Sequence, residues 1–214
     1  MTHAPDMACL TLAPGFAPSE RPTAARLFWQ AFGPKLRPVL APDEKALAFL
    51  SAALCPRYAL SARDAQGRLL GLAGVKTAEG GLVGGTLRDI AEIYRWPGAL
   101  WRGPLLSLLE REVAPDTLLM DGIFVSEEAR GRGVGSALLG AVKQKARSEG
   151  LASVRLDVVD SNPRARALYE RHGFVAGKRT DLGVMRHVFG FTGSTEMRCD
   201  LTAELPQRSE LTLS

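Results

Sequence analysis

The sequence predicts an α+β fold: about seven strands in a central sheet, helices packed against it, and a helical insertion between the third and fourth strands. Three observations predict it. Short runs of strand-compatible residues, such as Leu69 to Thr77 and Ser153 to Val159, are separated by longer segments whose apolar residues recur at helical spacing. Two of the runs flank Asp64-Ala65-Gln66-Gly67, a link of hairpin type. A strongly apolar run, Thr117 to Val125, leads into a glycine-rich turn and then an amphipathic helix.

Ala8 to Leu12 reads as the first strand, and Glu20 to Phe32 as a helix carrying Ala24, Ala25, Leu27, Phe28 and Ala31. A second helix spans Pro42 to Cys55. Pro42 suits its first turn, Asp43 and Glu44 favour its positive end, and Ala46, Leu47, Leu50 and Leu54 form the apolar stripe. Tyr58 to Arg63 and Leu69 to Thr77 follow as two antiparallel strands. In Gly80 to Glu112, Leu87, Ile90, Ala91 and Tyr94 repeat at helical spacing, and Leu105, Leu108 and Leu109 do so after a break at Trp96-Pro97-Gly98. Two short helices are expected there. Thr117 to Val125 is a strand interrupted at Asp121-Gly122. The helix after it sets Val134, Leu138, Val142 and Ala146 on one face and ends at Gly150. Ser153 to Val159 is a strand, Asn162 to His172 a short helix, and Phe174 onward extended. Ser194 to Leu201 forms the last strand, with Thr195, Met197, Cys199 and Leu201 on one face.

With 214 residues, 46% of them hydrophobic, the chain can bury one substantial core, so a single domain over 1–214 is expected. No apolar run is long enough for a secretory segment or a membrane span, which predicts a soluble cytoplasmic protein. The net charge of +4 is spread along the chain and permits an anionic ligand. Nucleic acid is not implied, because Arg130 and Arg132 lack interleaved aromatics or a basic stripe around them. Cys9, Cys55 and Cys199 form no pair or cluster of zinc spacing and sit in apolar contexts, as inert thiols do; no metal is expected.

The turn Arg130-Gly131-Arg132-Gly133-Val134-Gly135-Ser136 gathers unpaired backbone N–H groups at the start of a helix, which suits an anion. It lacks the lysine of a GxxxxGK phosphate loop, and no register of its glycines yields GxGxxG. Taken alone, such a turn can also be an ordinary tight connection.

The spacing resembles the GNAT superfamily of N-acetyltransferases. Its signature, Gln/Arg-x-x-Gly-x-Gly/Ala after a strand, is matched by Arg130 to Gly135. A second region matches in Leu156-Asp157-Val158, Asn162, Ala165, Ala167, Leu168-Tyr169 and Gly173-Phe174. The close resemblance covers Leu118 to Val175, and the insertion at 80–112 departs from the family pattern. The resemblance implies a mixed, mostly antiparallel sheet with helices on both faces. It implies that Arg130, Gly131, Arg132, Gly133, Val134, Gly135 and Ser136 bind the pyrophosphate of acetyl-CoA. It implies that backbone groups of Ile123, Phe124 and Val125 hold the pantetheine arm where two strands splay, with Gly122 beside a bulge. Asn162, otherwise a helix N-cap, is implied to touch the same arm. Tyr169, otherwise a packed tyrosine, is implied to lie at the thioester sulfur, where a phenol can protonate the leaving thiolate.

A neutral amine needs a base. Asp157, where some similar bacterial peptide acetyltransferases carry glutamate, and Asp121 are the two candidates, and either can instead be a solvated or ion-paired strand residue. No cysteine lies in the motifs, so direct attack in a ternary complex is expected. The acceptor is the primary amine of a small molecule or peptide, shaped by the region from Phe28 to Leu54 and by Thr180 to Phe191. Tyr94, Trp96 and Trp101 either line that side, cover a partner subunit or pack an extra helical pair. A homodimer is compatible with the resemblance. The alternative function is a catalytically silent module that senses acyl-CoA.

Overall fold

Residues 10–84, 86–107, 113–183, 186 and 190–202 are described by a computed structural model of the chain. Among them, eight strands form one mixed sheet. In chain order the elements are β1 (Thr11–Pro14), α1 (Arg21–Leu40), α2 (Asp43–Ala53), β2 (Ala59–Arg63), β3 (Leu69–Thr77), β4 (Gly80–Gly81) and α3 (Leu87–Ser107). Then come β5 (Thr117–Val125), α4 (Val134–Ser148), β6 (Ser153–Val159), α5 (Pro163–Arg171), β7 (Val175–Asp181) and β8 (Gly193–Asp200). The strand order is β1-β2-β3-β5-β6-β8-β7, with the two-residue β4 added beside β3. Every pair is antiparallel except β5 with β6, which α4 joins by a crossover.

The sheet separates two apolar cores. On one face Phe28, Val39 and Leu40 of α1, Phe49 and Leu50 of α2 and Ile90 and Tyr94 of α3 pack against Leu72 and Phe124. On the other, Val134, Leu138, Val142 and Ala146 of α4 and Tyr169 of α5 pack against Leu118, Met120, Val154, Leu156 and Met197. The predicted stripe of α4 is buried throughout, and Gly150, at φ 71°, follows its end. In the β2–β3 hairpin the Asp64 carboxylate accepts hydrogen bonds from the backbone N–H groups of Gln66 (3.0 Å) and Arg68 (2.9 Å) and from Arg68 Nε (2.7 Å). Burial pushes this carboxyl up, but those donors outweigh it and hold it below its ordinary value.

Several expected boundaries move. β1 starts at Thr11 rather than Ala8, and residues 8 and 9, with Cys9, lie outside the described residues. β4 raises the strand count from about seven to eight. α2 starts after Pro42 and ends at Ala53, and Cys55 is half-buried while Cys199 is buried. α1 runs on past Phe32 to Leu40 despite Gly33, Pro34 and Pro38, although an interior proline ordinarily costs a helix about 3 kcal/mol. Burial of Val39 and Leu40, at 0% and 1% exposure, offsets that cost. The break in the insertion falls at Arg95 (φ 62°, ψ 162°), one residue before Trp96. Pro97 then lies in the first turn of the second half, where a missing N–H does no harm. Leu108 and Leu109 lie outside the described residues. Among those described, no helix is long and apolar enough to cross a membrane.

Candidate active site

β5 and β6 pair only from Thr117↔Ser153 to Met120↔Leu156. Beyond that point β5 stays with β3 as far as Val125↔Gly71, and β6 stays with β8 as far as Val159↔Ser194. A wedge therefore opens between them, starting at Asp121 and Asp157. Its closed end is pinned by a buried hydrogen bond of 3.0 Å between the Thr117 and Ser153 hydroxyls. Its opening coincides with a β-bulge. Gly122 pairs with Gly74 and Met120 with Val75, which leaves Asp121 as the extra residue and turns the strand. Two glycines make this bend possible: a Cβ on Gly122 would lie 2.9 Å from Phe32 Cζ, and one on Gly74 would lie 2.5 Å from Leu82 Cδ2.

The pairing fixes which backbone groups face the wedge. Ser126 N–H donates to Leu70 C=O at 2.8 Å, so strand alternation directs Phe124 toward β3 and Ile123 and Val125 away from it. The Val125 carbonyl accepts from Arg130 Nε at 3.2 Å. Phe124 contributes its side chain instead: the ring packs 5.2 Å from Phe28 and 5.4 Å from Phe32.

At the wide end β5 passes through a 3-10 turn, Glu127–Ala129, into the glycine-rich turn. Gly131 (φ 76°) and Gly133 (φ 83°) take left-handed conformations, and among the described residues a Cβ at either would meet nothing within 4 Å, so this flank is open with respect to them. Gly133 is the N-cap of α4, and among the described residues no side chain caps that end. The N–H groups of Val134, Gly135 and Ser136 belong to the first helical turn, which has no intrahelical acceptors for them. A Cβ added at Gly135 would lie 3.4 Å from Leu168 Cδ2, so the first turn of α4 faces α5 closely there. Arg130, paired with Glu127 at 3.5 Å, and Arg132 are exposed beside the open flank. The turn is thus an electropositive site of main-chain donors.

α5 begins at Asn162, whose Oδ1 accepts from Ala165 N–H at 3.1 Å. The cap uses the carboxamide oxygen, and the amide NH2 is the group a ligand could engage. Tyr169, 7% exposed, packs with Phe174 in the α4 core. Burial alone pushes its hydroxyl up to about 12, so it keeps its proton throughout the physiological range.

Leu156 and Val158 point into the α4 core, so Arg155 and Asp157 alternate to the face covered by α1. Asp121 lies on that face too, 3.4 Å from the place a Gly81 Cβ would take. The two carboxylates and Tyr169 therefore lie on opposite faces of the sheet. A third carboxylate, missed in the sequence, joins them. Glu196 of β8 stands opposite Asp157 in the β6–β8 register, and Arg155 bridges the pair at 3.0 Å from Glu196 and 3.9 Å from Asp157. Alternation in the last strand could have turned Glu196 away from Met197, but only the register puts it beside Asp157. Among the described residues no three His, Cys, Asp or Glu gather in a group that could hold a metal ion.

On the same face, α1 and the segment before β8 meet: Lys35 Nζ lies 5.4 Å from the Phe32 ring and 5.5 Å from that of Phe191. Of 180–191, residues 184, 185 and 187–189 lie outside those described. Tyr94 is core, whereas Trp96 and Trp101 are 61% and 47% exposed on α3.

The family model of the acetyltransferase (GNAT) family matches residues 21–174, which include the whole wedge and turn. No curated protein matches the chain. Among solved structures, an acetyltransferase is similar at 22% identity and TM-score 0.58, covering 89% of this chain and 98% of that one. A GCN5-related N-acetyltransferase from Kribbella flavida is similar at 19% identity and TM-score 0.60, covering 90% and 98%. An N-acetyltransferase from Staphylococcus aureus Mu50 follows at 14% identity and TM-score 0.60, covering 88% and 99%. These likenesses establish the fold, the mixed and mostly antiparallel sheet with helices on both faces. With the family match extending over most of its length, the chain belongs to the acetyltransferase (GNAT) family and is an acyltransferase by that membership.

Proposed function

We propose that the protein transfers the acetyl group of acetyl-CoA to a primary amine of a small molecule or peptide by direct attack in a ternary complex. The observation that carries this reading is the position of the wedge, which opens between an uncapped helix N-terminus and a pair of half-buried carboxylates. The open flank at Gly131 and Gly133 fits a diphosphate, which the N–H groups from Gly131 to Ser136 would bind, with Arg130 and Arg132 adding charge at the mouth. Main-chain groups of Ile123 and Val125 would pair with the amides of the pantetheine arm and polarise the thioester carbonyl, with Phe124 holding the strand in place from beneath. The Asn162 amide would engage the same arm.

In the reaction Asp157, directly or through water, takes a proton from the ammonium group; Asp121 is the other candidate base. The amine nitrogen attacks the thioester carbon, the C–N bond forms, and the oxyanion is met by strand N–H groups. The C–S bond then breaks. With its pKa at about 12, Tyr169 is a weaker acid than a thiol, which ordinarily lies near about 8.5. Its role is therefore to donate a hydrogen bond to the leaving thiolate, and the proton released by the amine completes the free thiol. This pairing of an unchanging donor with a carboxylate base predicts a rate that rises with pH as the amine loses its proton.

The test is a panel of amines assayed for release of free coenzyme A, beside calorimetric titration with acetyl-CoA. Turnover of at least one amine is expected. Tight acetyl-CoA binding without turnover would leave a silent acyl-CoA sensor as the function, and no binding at all would overturn both.

A further inference from the structure

The second half of α1 is a weak helix by its own hydrogen bonds. Pro34 and Pro38 have no N–H, so the carbonyls of Gln30 and Pro34 lack their helical donors. The carbonyls of Val39 and Leu40, at the C-terminal end, have no helical donors either. Both are met from outside the helix. Arg102 Nε of α3 donates to Val39 C=O at 2.7 Å, and the Tyr94 hydroxyl donates to Leu40 C=O. Arg102 is itself fixed, its guanidinium carbon 4.2 Å from the centres of both the Tyr94 and Trp101 rings and its NH1 3.3 Å from Gly98 C=O.

The half of α1 held in this way borders the wedge. Phe32 packs where a Gly122 side chain would stand, at the bulge, and Lys35 reaches to Phe191. A movement of this segment would carry those side chains with it and reshape the face on which Asp121 and Asp157 lie.

We propose that α3 is a clamp that sets the acceptor side of the wedge, and that Tyr94 and Arg102 are positioning residues for recognition of the amine. The proposal rests on the acyl-transfer reading above. The partners described for the two side chains, among them Val39, Leu40, Gly98 and Trp101, lie outside the turn and the wedge, so the effect falls on the KM for amine and leaves acetyl-CoA affinity and kcat in place.

The test uses the full chain and three variants. Tyr94→Phe keeps the ring and removes one hydrogen bond, Arg102→Ala removes the other, and Arg102→Lys restores a cationic donor. Three quantities are measured: hydrogen exchange of the amides from Lys35 to Ala41, KM and kcat for the panel amine turned over fastest, and acetyl-CoA affinity by calorimetry. Loss of either hydrogen bond, the buried one of Tyr94 or the part-buried one of Arg102, should speed exchange and raise the KM for amine by about tenfold. Acetyl-CoA affinity and kcat should stay within about twofold, with Arg102→Lys closer to wild type than Arg102→Ala. Unchanged exchange in the folded variants overturns the clamp. Faster exchange with unchanged KM makes α3 a purely structural brace and overturns the recognition role, as does an equal loss of acetyl-CoA affinity. A wild type that acetylates no amine overturns the acyl-transfer reading and the recognition role with it, while the exchange result still judges the clamp alone.

Discussion

The N-terminus of α4 and the C-terminus of α1 present the same chemical problem, unpaired main-chain groups at a helix end, and the fold answers it in opposite ways. At α4 no side chain among the described residues caps the end, and two left-handed glycines clear the space in front of the donors. At α1 two side chains from another helix close off the last carbonyls. An end left open at the mouth of a wedge is available to a ligand, and an end closed by tertiary contacts is available only to the fold. The difference follows from the sign of the exposed groups as well as from geometry. Donors at an N-terminus attract a diphosphate, while the acceptors of α1 attract a guanidinium and a phenol.

The largest expected effect breaks the open end. In Gly133→Glu a carboxylate stands where phosphates belong and a side chain is forced onto a left-handed backbone; acetyl-CoA affinity by calorimetry should fall by about 100-fold or more, equivalent to losing charge-assisted hydrogen bonds of about 3 kcal/mol. An unchanged affinity would move the diphosphate elsewhere. The next sharpens the contrast between the end of α4 and its body. Leu138→Ala opens a cavity in the α4 core and should lower stability to denaturant by about 2–5 kcal/mol. A loss below 1 kcal/mol would mean that α4 is held by something other than its buried stripe.

Tyr169→Phe tests the wedge between the two ends: turnover should fall by about tenfold to 100-fold with acetyl-CoA affinity unchanged. Equal turnover would remove the hydroxyl from the chemistry. The smallest effect is at the β2–β3 hairpin, remote from both ends. The folded pKa of Asp64 is depressed, so its contribution is full above the ordinary carboxylate value and is lost as pH falls through the folded one. Asp64→Asn should cost about 1–2 kcal/mol near neutral pH and flatten the acid limb of stability below about pH 4. An unaltered acid limb would show that other carboxylates carry it.

Legibility followed the range of the interactions involved. β3, β5 and β6 have the limits that their apolar runs predict, because local punctuation marks both ends of each. The glycine-rich turn, the stripe of α4 and the cap at Asn162 were equally legible, since each depends on a few neighbouring residues, whereas the bulge beside Gly122 was implied by the family resemblance. α1 was not. Gly33, Pro34 and Pro38 are stop signals in any local reading, and the donors that override them lie more than fifty residues away on α3, Tyr94 being 54 positions from Leu40. The break in the insertion was placed at Trp96-Pro97-Gly98 rather than at Arg95 for a related reason, since proline reads alike whether it ends one helix or starts the next.

By itself, then, the sequence determined the type and order of most elements and the position of the glycine-rich turn, because periodicity, turn chemistry and helix-end donors are properties of short stretches. Only the tertiary structure decided that β5 and β6 part after Met120 and Leu156, that Glu196 stands across from Asp157, that the carboxylates and Tyr169 lie on opposite faces, and that α3 completes α1. Each of these depends on strand register or on a contact across the core, and neither leaves a local trace, since a strand that slips by two residues keeps its alternation while every partner changes.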